Sequence, residues 1–285
     1  MYNLTPFFKD YFPGGLKDVV FEPVRGNILT RLSKMIDNSD ADGLIVAKAA
    51  IDRLLDVEGE EFQEGNEKLE KLLSQCDWQV LPLTLNPTAA AQGALAVEVA
   101  SHRQDLKEMM KQVHCEDTWQ EVLTEREILK SYGGGCHQKI GVTQLTRDYG
   151  KILFLRGQTD GGEILQSFQL EASYPTIAPQ ETEILTWFDR QEIPYQKPKA
   201  NAQFIARANA LPEGESPEGI LWVSGLKTWK KLAQRGLWIH GSCESLGEKE
   251  DRGLEKLAPG LRWAKWTHKD SPGNTMETVA TYELI

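Results

Sequence analysis

Two turn triplets, Asp148-Tyr149-Gly150 and Asp160-Gly161-Gly162, divide the stretch from Lys139 to Leu170 into three pieces of strand length. The pieces are Lys139 to Thr146, Lys151 to Gly157 and Glu163 to Leu170. Turns this short send each strand back along its predecessor, so the stretch is predicted to form an antiparallel three-stranded meander. Two amphipathic helices precede it, at about His102 to Val113 and Asp117 to Lys130, the second with Trp119, Val122, Leu123 and Leu129 on one face. Tyr132-Gly133-Gly134-Gly135 ends that helix, because such a run is too flexible to continue a helix or a strand. Residues 101–172 therefore read as an α+β domain with a three-stranded antiparallel sheet.

The earlier residues follow a different rhythm. Val19-Val20-Phe21 reads as a strand, Arg25-Gly26-Asn27 breaks it, and Ile28, Leu29, Leu32, Met35 and Ile36 take helical spacing. Gly43-Leu44-Ile45-Val46-Ala47 is a continuous apolar run suited to a buried parallel strand, and it leads into a helix through Ile51, Leu54 and Leu55. Repeated strand-helix units predict a partial doubly wound α/β domain over residues 1–85. Within it, Glu58 to Gly65 reads as an acidic loop and Glu67 to Cys76 as a short helix.

Residues 86–100 form a linking segment. Residues 173–216, rich in proline and interrupted by a helical segment around Glu183 to Phe188, read as a linker. A small C-terminal α/β unit follows over 217–285: strand Ile220 to Val223, helix Lys227 to Arg235, strand Leu237 to His240, then a hairpin of Leu261 to His268 and Thr278 to Leu284. The expected fold class is thus α/β and multidomain.

Composition narrows the function. The 285 residues carry 32 Lys+Arg against 42 Asp+Glu, a net charge of -10, which is opposed to a nucleic-acid partner. No run approaches the roughly 18 apolar residues of a membrane helix, and the first residues lack the pattern of an export signal, so a cytoplasmic location with no membrane partner is expected. Cys76, Cys115, Cys136 and Cys243 are widely spaced with no CxxC pair, indicating neither a disulfide framework nor a metal site.

Three features remain that carry chemistry. Gly133-Gly134-Gly135-Cys136-His137 presents a thiol on a glycine loop at a helix end beside an imidazole, where an exposed thiolate would be a strong nucleophile. Alone, it also fits a flexible loop with an ordinary thiol. Arg25, Arg31 and Arg53 fall at a strand-to-helix turn, in the first turn of that helix and in the next helix. Guanidinium groups suit bidentate capture of carboxylates, although solvated or ion-paired surface arginines fit the pattern too. Ala89 to Glu98 is a run of small residues around one Gln-Gly, suited to a tight turn or hinge. His240, His268 and tryptophans 222, 229, 238, 263 and 266 are expected in cores and at rims.

The order of these pieces resembles the porphobilinogen deaminase (hydroxymethylbilane synthase) family. The matching text is Val24 to Leu32 (VRGNILTRL), Leu44 to Ala47 running on to Asp52-Arg53-Leu54, Ala91-Gln92-Gly93-Ala94-Leu95, Thr124-Glu125-Arg126-Glu127, and Gly134-Gly135-Cys136 with Ile140-Gly141-Val142. The resemblance runs from about Val19 to Leu170. It implies a transferase of tetrapyrrole and haem biosynthesis that condenses porphobilinogen onto a dipyrromethane cofactor, which Cys136 would hold through a thioether. It also implies that Arg25, Arg31 and Arg53 bind carboxylates of cofactor and substrate. The last unit, around Ser224-Gly225-Leu226-Lys227-Thr228 and Gly236-Leu237-Trp238, faintly resembles uroporphyrinogen-III synthase.

The sequence departs from the family pattern in definite places. Neither the HSxKD-like motif with the catalytic aspartate nor the SSxRR motif occurs in it, so no catalytic residue is assigned. Ala91 stands for the first glycine of the usual GQGA, and Lys139 for the proline usual after the GGC loop. The first deaminase domain is therefore expected from a separate chain or an upstream coding region. Other readings remain: a non-catalytic tetrapyrrole-binding or assembly protein derived from the deaminase, a remnant of a deaminase/uroporphyrinogen-III synthase fusion, and an α/β scaffold whose resemblance is accidental.

Overall fold

A computed structural model describes residues 3–37, 41–57, 59–135, 138–174, 188–273 and 275–285. The chain divides into two compact units, Met1–Thr5 with Leu81–Ile184, and Pro6–Val80 with Leu185–Ile285. No helix among the described residues is long and apolar enough to cross a membrane.

The regular structure of the described residues in 6–80 is helical, with irregular segments between the helices. Helices α1 (Leu4–Tyr11), α2 (Ile28–Asp37), α3 (Lys48–Asp56) and α4 (Glu60–Leu73) follow one another, and α2 and α3 both pack on α4 through Leu32, Ile51, Leu69 and Leu72. The acidic loop expected up to Gly65 is instead largely the start of α4, where Glu60 and Glu61 face the positive end of the helix dipole. The strands expected at Val19–Phe21 and Gly43–Ala47 do not form, and neither sheet draws a strand from residues 6–80. A parallel strand exists only beside a partner, and none lies next to these segments: Val20 is 81% exposed and Ile45 46%. The partial doubly wound domain predicted for 1–85 is therefore absent among the described residues.

The unit containing 81–174 has helices α5 (Gln104–Met110) and α6 (Glu116–Ser131) and strands β1 (Lys139–Arg147), β2 (Gly150–Gln158) and β3 (Ile164–Ala172). The strands form the antiparallel order β1-β2-β3, with Arg147 opposite Gly150 and Gly157 opposite Leu165, as the turn triplets require. Gly157 has φ +149, and a Cβ there would lie 2.0 Å from the Lys139 carbonyl oxygen, so only glycine fits this point of the ladder. Ile140, Val142, Leu155 and Leu165 form the core, against which Ile128 and Leu129 of α6 pack. Trp119 and Leu123, expected on the packing face, remain 50% and 36% exposed.

The C-terminal part of the other unit is built on a six-stranded mixed sheet. Its strands are β4 (Arg190–Glu192), β5 (Ala202–Ile205), β6 (Ile220–Val223), β7 (Gly241–Ser242), β8 (Trp263–His268) and β9 (Glu277–Leu284), ordered β4-β9-β8-β5-β6-β7. Only β4 is antiparallel to its neighbour. Two strands come from the region read as a linker. The fully buried β5 sits between β8 and β6, so prolines 198 and 212 flank a core strand rather than mark open chain. Leu237–His240 is not a strand; the short β7 follows it.

The expected C-terminal hairpin is also corrected, because β8 and β9 run parallel, with Ala264 opposite Glu277 and Thr267 opposite Ala280. The connection of residues 269–276 is long enough to travel back along the six residues of β8 before β9 begins. The helical segment expected around Glu183 lies outside the described residues apart from Phe188, which precedes β4.

Helix α7 (Leu226–Gln234), between β6 and β7, is covered by the N-terminal aromatics. Trp229 of α7 is fully buried, meets the Phe7 ring edge-on at 5.5 Å and donates from Nε1 to the Tyr11 carbonyl at 2.9 Å. Burying a side chain this large contributes about 3 kcal/mol. Trp78 and Val80 likewise pack with Phe204, Trp222 and Leu254, and the Val80 N–H donates to the His240 carbonyl at 2.7 Å.

Candidate functional site

Helix α6 ends where its glycines permit a left-handed cap. The Gly133 N–H donates to the Lys130 carbonyl at 2.9 Å and the Gly134 N–H to the Leu129 carbonyl at 3.2 Å, the paired bonds of a Schellman motif. Gly133 and Gly134 have φ +104 and +58, which a residue with a Cβ adopts only under strain. The loop is tied at its far side, where Gln138 donates from Nε2 to the Tyr132 carbonyl and from its backbone N–H to the Gly135 carbonyl at 3.3 Å. Cys136 and His137 lie outside the described residues. Gln138 Oε1, two positions after the cysteine, is buried and has no hydrogen-bond partner among the described residues.

Three of the motifs singled out in the sequence meet in one joint of this unit. Glu125 of α6 is buried, its Oε2 accepting from the Ala91 N–H at 2.7 Å and its Oε1 from the Gln144 N–H of β1 at 2.9 Å. Burial pushes the Glu125 carboxyl up, and the two backbone donors partly hold it down. The segment before Ala91 lies along β1, with the Val142 N–H donating to the Thr88 carbonyl at 2.8 Å. A Cβ at Gly141 would lie 2.4 Å from the Pro87 carbonyl oxygen, so the glycine admits that segment. Glu121 Oε1 accepts from the Thr146 N–H at 2.7 Å. The outward N–H groups of Val142, Gln144 and Thr146 are thus all occupied, and this edge of the sheet is closed to a further strand.

Ala91 occupies φ +64, a left-handed conformation that costs a residue with a Cβ about 1 kcal/mol. Ala91→Gly removes that strain but adds backbone entropy to the unfolded chain, leaving an expected net gain of about 0.5 kcal/mol. A higher urea midpoint for the variant is the expected reading, and a lower one would show that Ala91 is unstrained.

The arginines sit on the helices of residues 6–80. Asn27 caps α2, its Oδ1 accepting from the Thr30 N–H and the Thr30 hydroxyl, each at 2.8 Å. Arg31, in the first turn, donates from Nε to the Gly26 carbonyl at 2.6 Å, while Arg25 lies just before the cap. Arg25 and Arg31 are therefore brought to one helix start, where the dipole favours anions. Arg53 lies on α3 with its Nε donating to the Ala49 carbonyl at 3.1 Å. It makes no hydrogen bond to the residues around the other two among the described residues. In a chain of net charge -10, none of the three guanidiniums has a carboxylate partner among the described residues.

Sequence reading gave no role to Gln138 or Glu125. Glu125 carried a legible signal, an acid within one helical turn of the apolar Val122, Ile128 and Leu129 on α6. Gln138 carried none, since an amide beside a glycine loop is ordinary.

Residues 9–108 match a family model described as porphobilinogen deaminase, dipyromethane cofactor binding domain. The chain is similar to porphobilinogen deaminases of Neisseria meningitidis (35% identical over 152 residues, 52% of this chain and 42% of the relative), Listeria monocytogenes (34% over 170 residues, 59% and 50%) and Clostridium novyi (31% over 152 residues, 52% and 45%). The resemblance read from the motifs therefore holds over about half of the chain, and the match spans half or less of the length of these relatives.

Proposed function

We propose that this chain is the cofactor-bearing portion of a hydroxymethylbilane synthase acting in the cytoplasm, with the catalytic aspartate and the SSxRR arginines supplied by a separate chain or by an upstream coding region. In this reading Cys136 holds dipyrromethane through a thioether, and Arg25, Arg31 and Arg53 bind the acetate and propionate groups of cofactor, porphobilinogen and growing pyrrole chain. The observation that carries it is the set of three guanidiniums that, in an acid-rich chain, have no carboxylate partner among the described residues. It stands within or beside the match to the dipyromethane cofactor binding domain.

The residues suit the group. Arg31 and Arg53 are each oriented by one Nε bond to a backbone carbonyl, which leaves both terminal NH2 groups of each guanidinium for a bidentate carboxylate. The α2 N-terminus adds its partial positive charge beside Arg25 and Arg31. Gln138 Oε1, a buried acceptor with no partner among the described residues, suits a pyrrole N–H. When bound, dipyrromethane supplies the free pyrrole end that attacks the electrophile left after porphobilinogen loses ammonia. The guanidiniums hold the accumulating carboxylates and offset their mutual repulsion.

The test is the intact mass of the protein purified from its native host, followed by mapping of the peptide that contains Cys136. An adduct of dipyrromethane mass on Cys136 is expected. A bare thiol would sink the deaminase reading and leave a non-catalytic tetrapyrrole-binding or assembly protein in its place.

A further inference from the structure

The six-stranded sheet contains a point at which its winding reverses. After the antiparallel edge strand β4, the chain enters the parallel part of the sheet at β5, steps outward through β6 to β7, returns to the other side of β5 as β8, and steps outward again to β9, beside β4. Between β5 and β8 the connections leave in opposite directions along the sheet. In open parallel sheets such a point leaves a crevice beyond the carboxyl ends of the two strands, and small ligands bind there. A cleft of about 360 Å³ occupies this position, within the size range of small-molecule sites. Ala206 and Arg207 follow β5, Thr267 and His268 end β8, and Tyr282 and Leu284 lie near the end of β9.

The lining has a definite charge. Arg190, Arg207 and Lys265 bring three permanent cations against one carboxylate, Glu248, in a chain that is acidic overall. Lys265 is only 3% exposed, and its Nζ donates to Glu248 Oε2 at 2.6 Å and to the Pro272 carbonyl at 3.4 Å. Glu248 thus pairs with the buried lysine. Arg207 is exposed and has no carboxylate partner among the described residues, and Arg190 lies over the Tyr282 ring at 5.8 Å with none either. His268 adds a buried Nδ1 with no hydrogen-bond partner among the described residues. The hydroxyl residues Thr267 and Ser271 line the same cleft.

We propose that the cleft at the β5/β8 switch point is a second ligand site, which takes a small molecule bearing phosphate or carboxylate groups between Arg190 and Arg207, over Lys265. It is independent of the deaminase reading, since it uses none of Cys136, Arg25, Arg31 or Arg53.

Calorimetric titration of the full chain with pyrophosphate and, separately, with citrate tests it, in an Arg25→Ala/Arg31→Ala background so that anions captured at α2 do not contribute. One saturable site per chain is expected for at least one probe. Arg207→Ala should weaken it about tenfold or more, with Arg190→Ala acting in the same direction and Arg207→Lys restoring part of the loss. Both arginines are exposed, so circular dichroism should show these variants folded. Binding of pyrophosphate alone identifies a phosphate-bearing ligand, and of citrate alone a carboxylate-bearing one. Binding of neither probe, or affinities unmoved by both arginine substitutions, overturns the proposal whatever the mass of the Cys136 peptide shows.

Discussion

Cys136→Ser is expected to abolish cofactor loading completely, leaving a protein of uniform unmodified mass where the wild type carries an adduct. A thioether forms by attack of a thiolate, and a serine hydroxyl is almost never ionised near neutral pH, so substitution of one atom removes the nucleophile. The supporting structure has little reason to change. The Schellman bonds at Gly133 and Gly134 and the Gln138 bond to the Tyr132 carbonyl involve neither the thiol nor the residue that bears it. Matching circular dichroism spectra of the two proteins would establish this. Loading of Cys136→Ser with dipyrromethane would show that attachment is elsewhere, for which Cys76, Cys115 and Cys243 are the remaining thiols. Of these, Cys243 is buried and Cys115 exposed, so peptide mapping would then turn to Cys115 first.

The parts of the fold legible in the sequence were those fixed by local chemistry. The meander followed from two turn triplets, and β6 and α7 from a short apolar run and helical spacing on either side of Ser224-Gly225. What failed depended on partners distant in sequence. The apolar run Gly43–Ala47 has the composition of a parallel strand, yet a strand requires a neighbour, and none lies beside it. The opposite error occurred at β5, where Ala202-Gln203-Phe204-Ile205 is too short and too closely flanked by prolines to announce a central strand. It is one because β6 and β8 both pair with it. Antiparallel pairing of β8 and β9 was inferred from a turn-like connection, but composition does not fix the path that eight residues take. At the candidate site, residue types and order singled out Cys136 and the arginines as candidates, whereas the lack of carboxylate partners for those arginines among the described residues could be read only from the structure. The switch-point cleft was invisible, since it exists only once strand order is known.

Acidification should weaken the unit that holds His240 by up to about 3 kcal/mol between pH 6.5 and 4, and His240→Gln should remove most of that loss. His240 Nδ1 accepts a hydrogen bond from the Leu221 N–H at 3.1 Å, while its ring packs edge-on against Trp78 at 4.9 Å. The acceptor must therefore be unprotonated. Burial pushes the imidazole down to about 4, with the nearby Asp77 carboxylate acting in the opposite direction. The folded value lies below the unfolded one of about 6.5, so the unfolded chain binds the proton first. The neutral ring's contribution is whole above pH 6.5 and is lost as pH falls toward 4. Glutamine at this position can still accept from the Leu221 N–H through its carbonyl oxygen but does not titrate. Urea unfolding followed by tryptophan fluorescence reads this unit well, because Trp78, Trp222, Trp229, Trp238, Trp263 and Trp266 all lie in it and Trp119 alone of the described tryptophans lies in the other. Glu125, in that other unit, is shifted upward, so acidification through its range favours the folded state there and opposes the His240 effect. The variant is thus needed to separate the two contributions. Equal loss of stability in wild type and His240→Gln between pH 6.5 and 4 would show that the ring is protonated in the folded chain and that the Leu221 bond is not what fixes this part of the sheet.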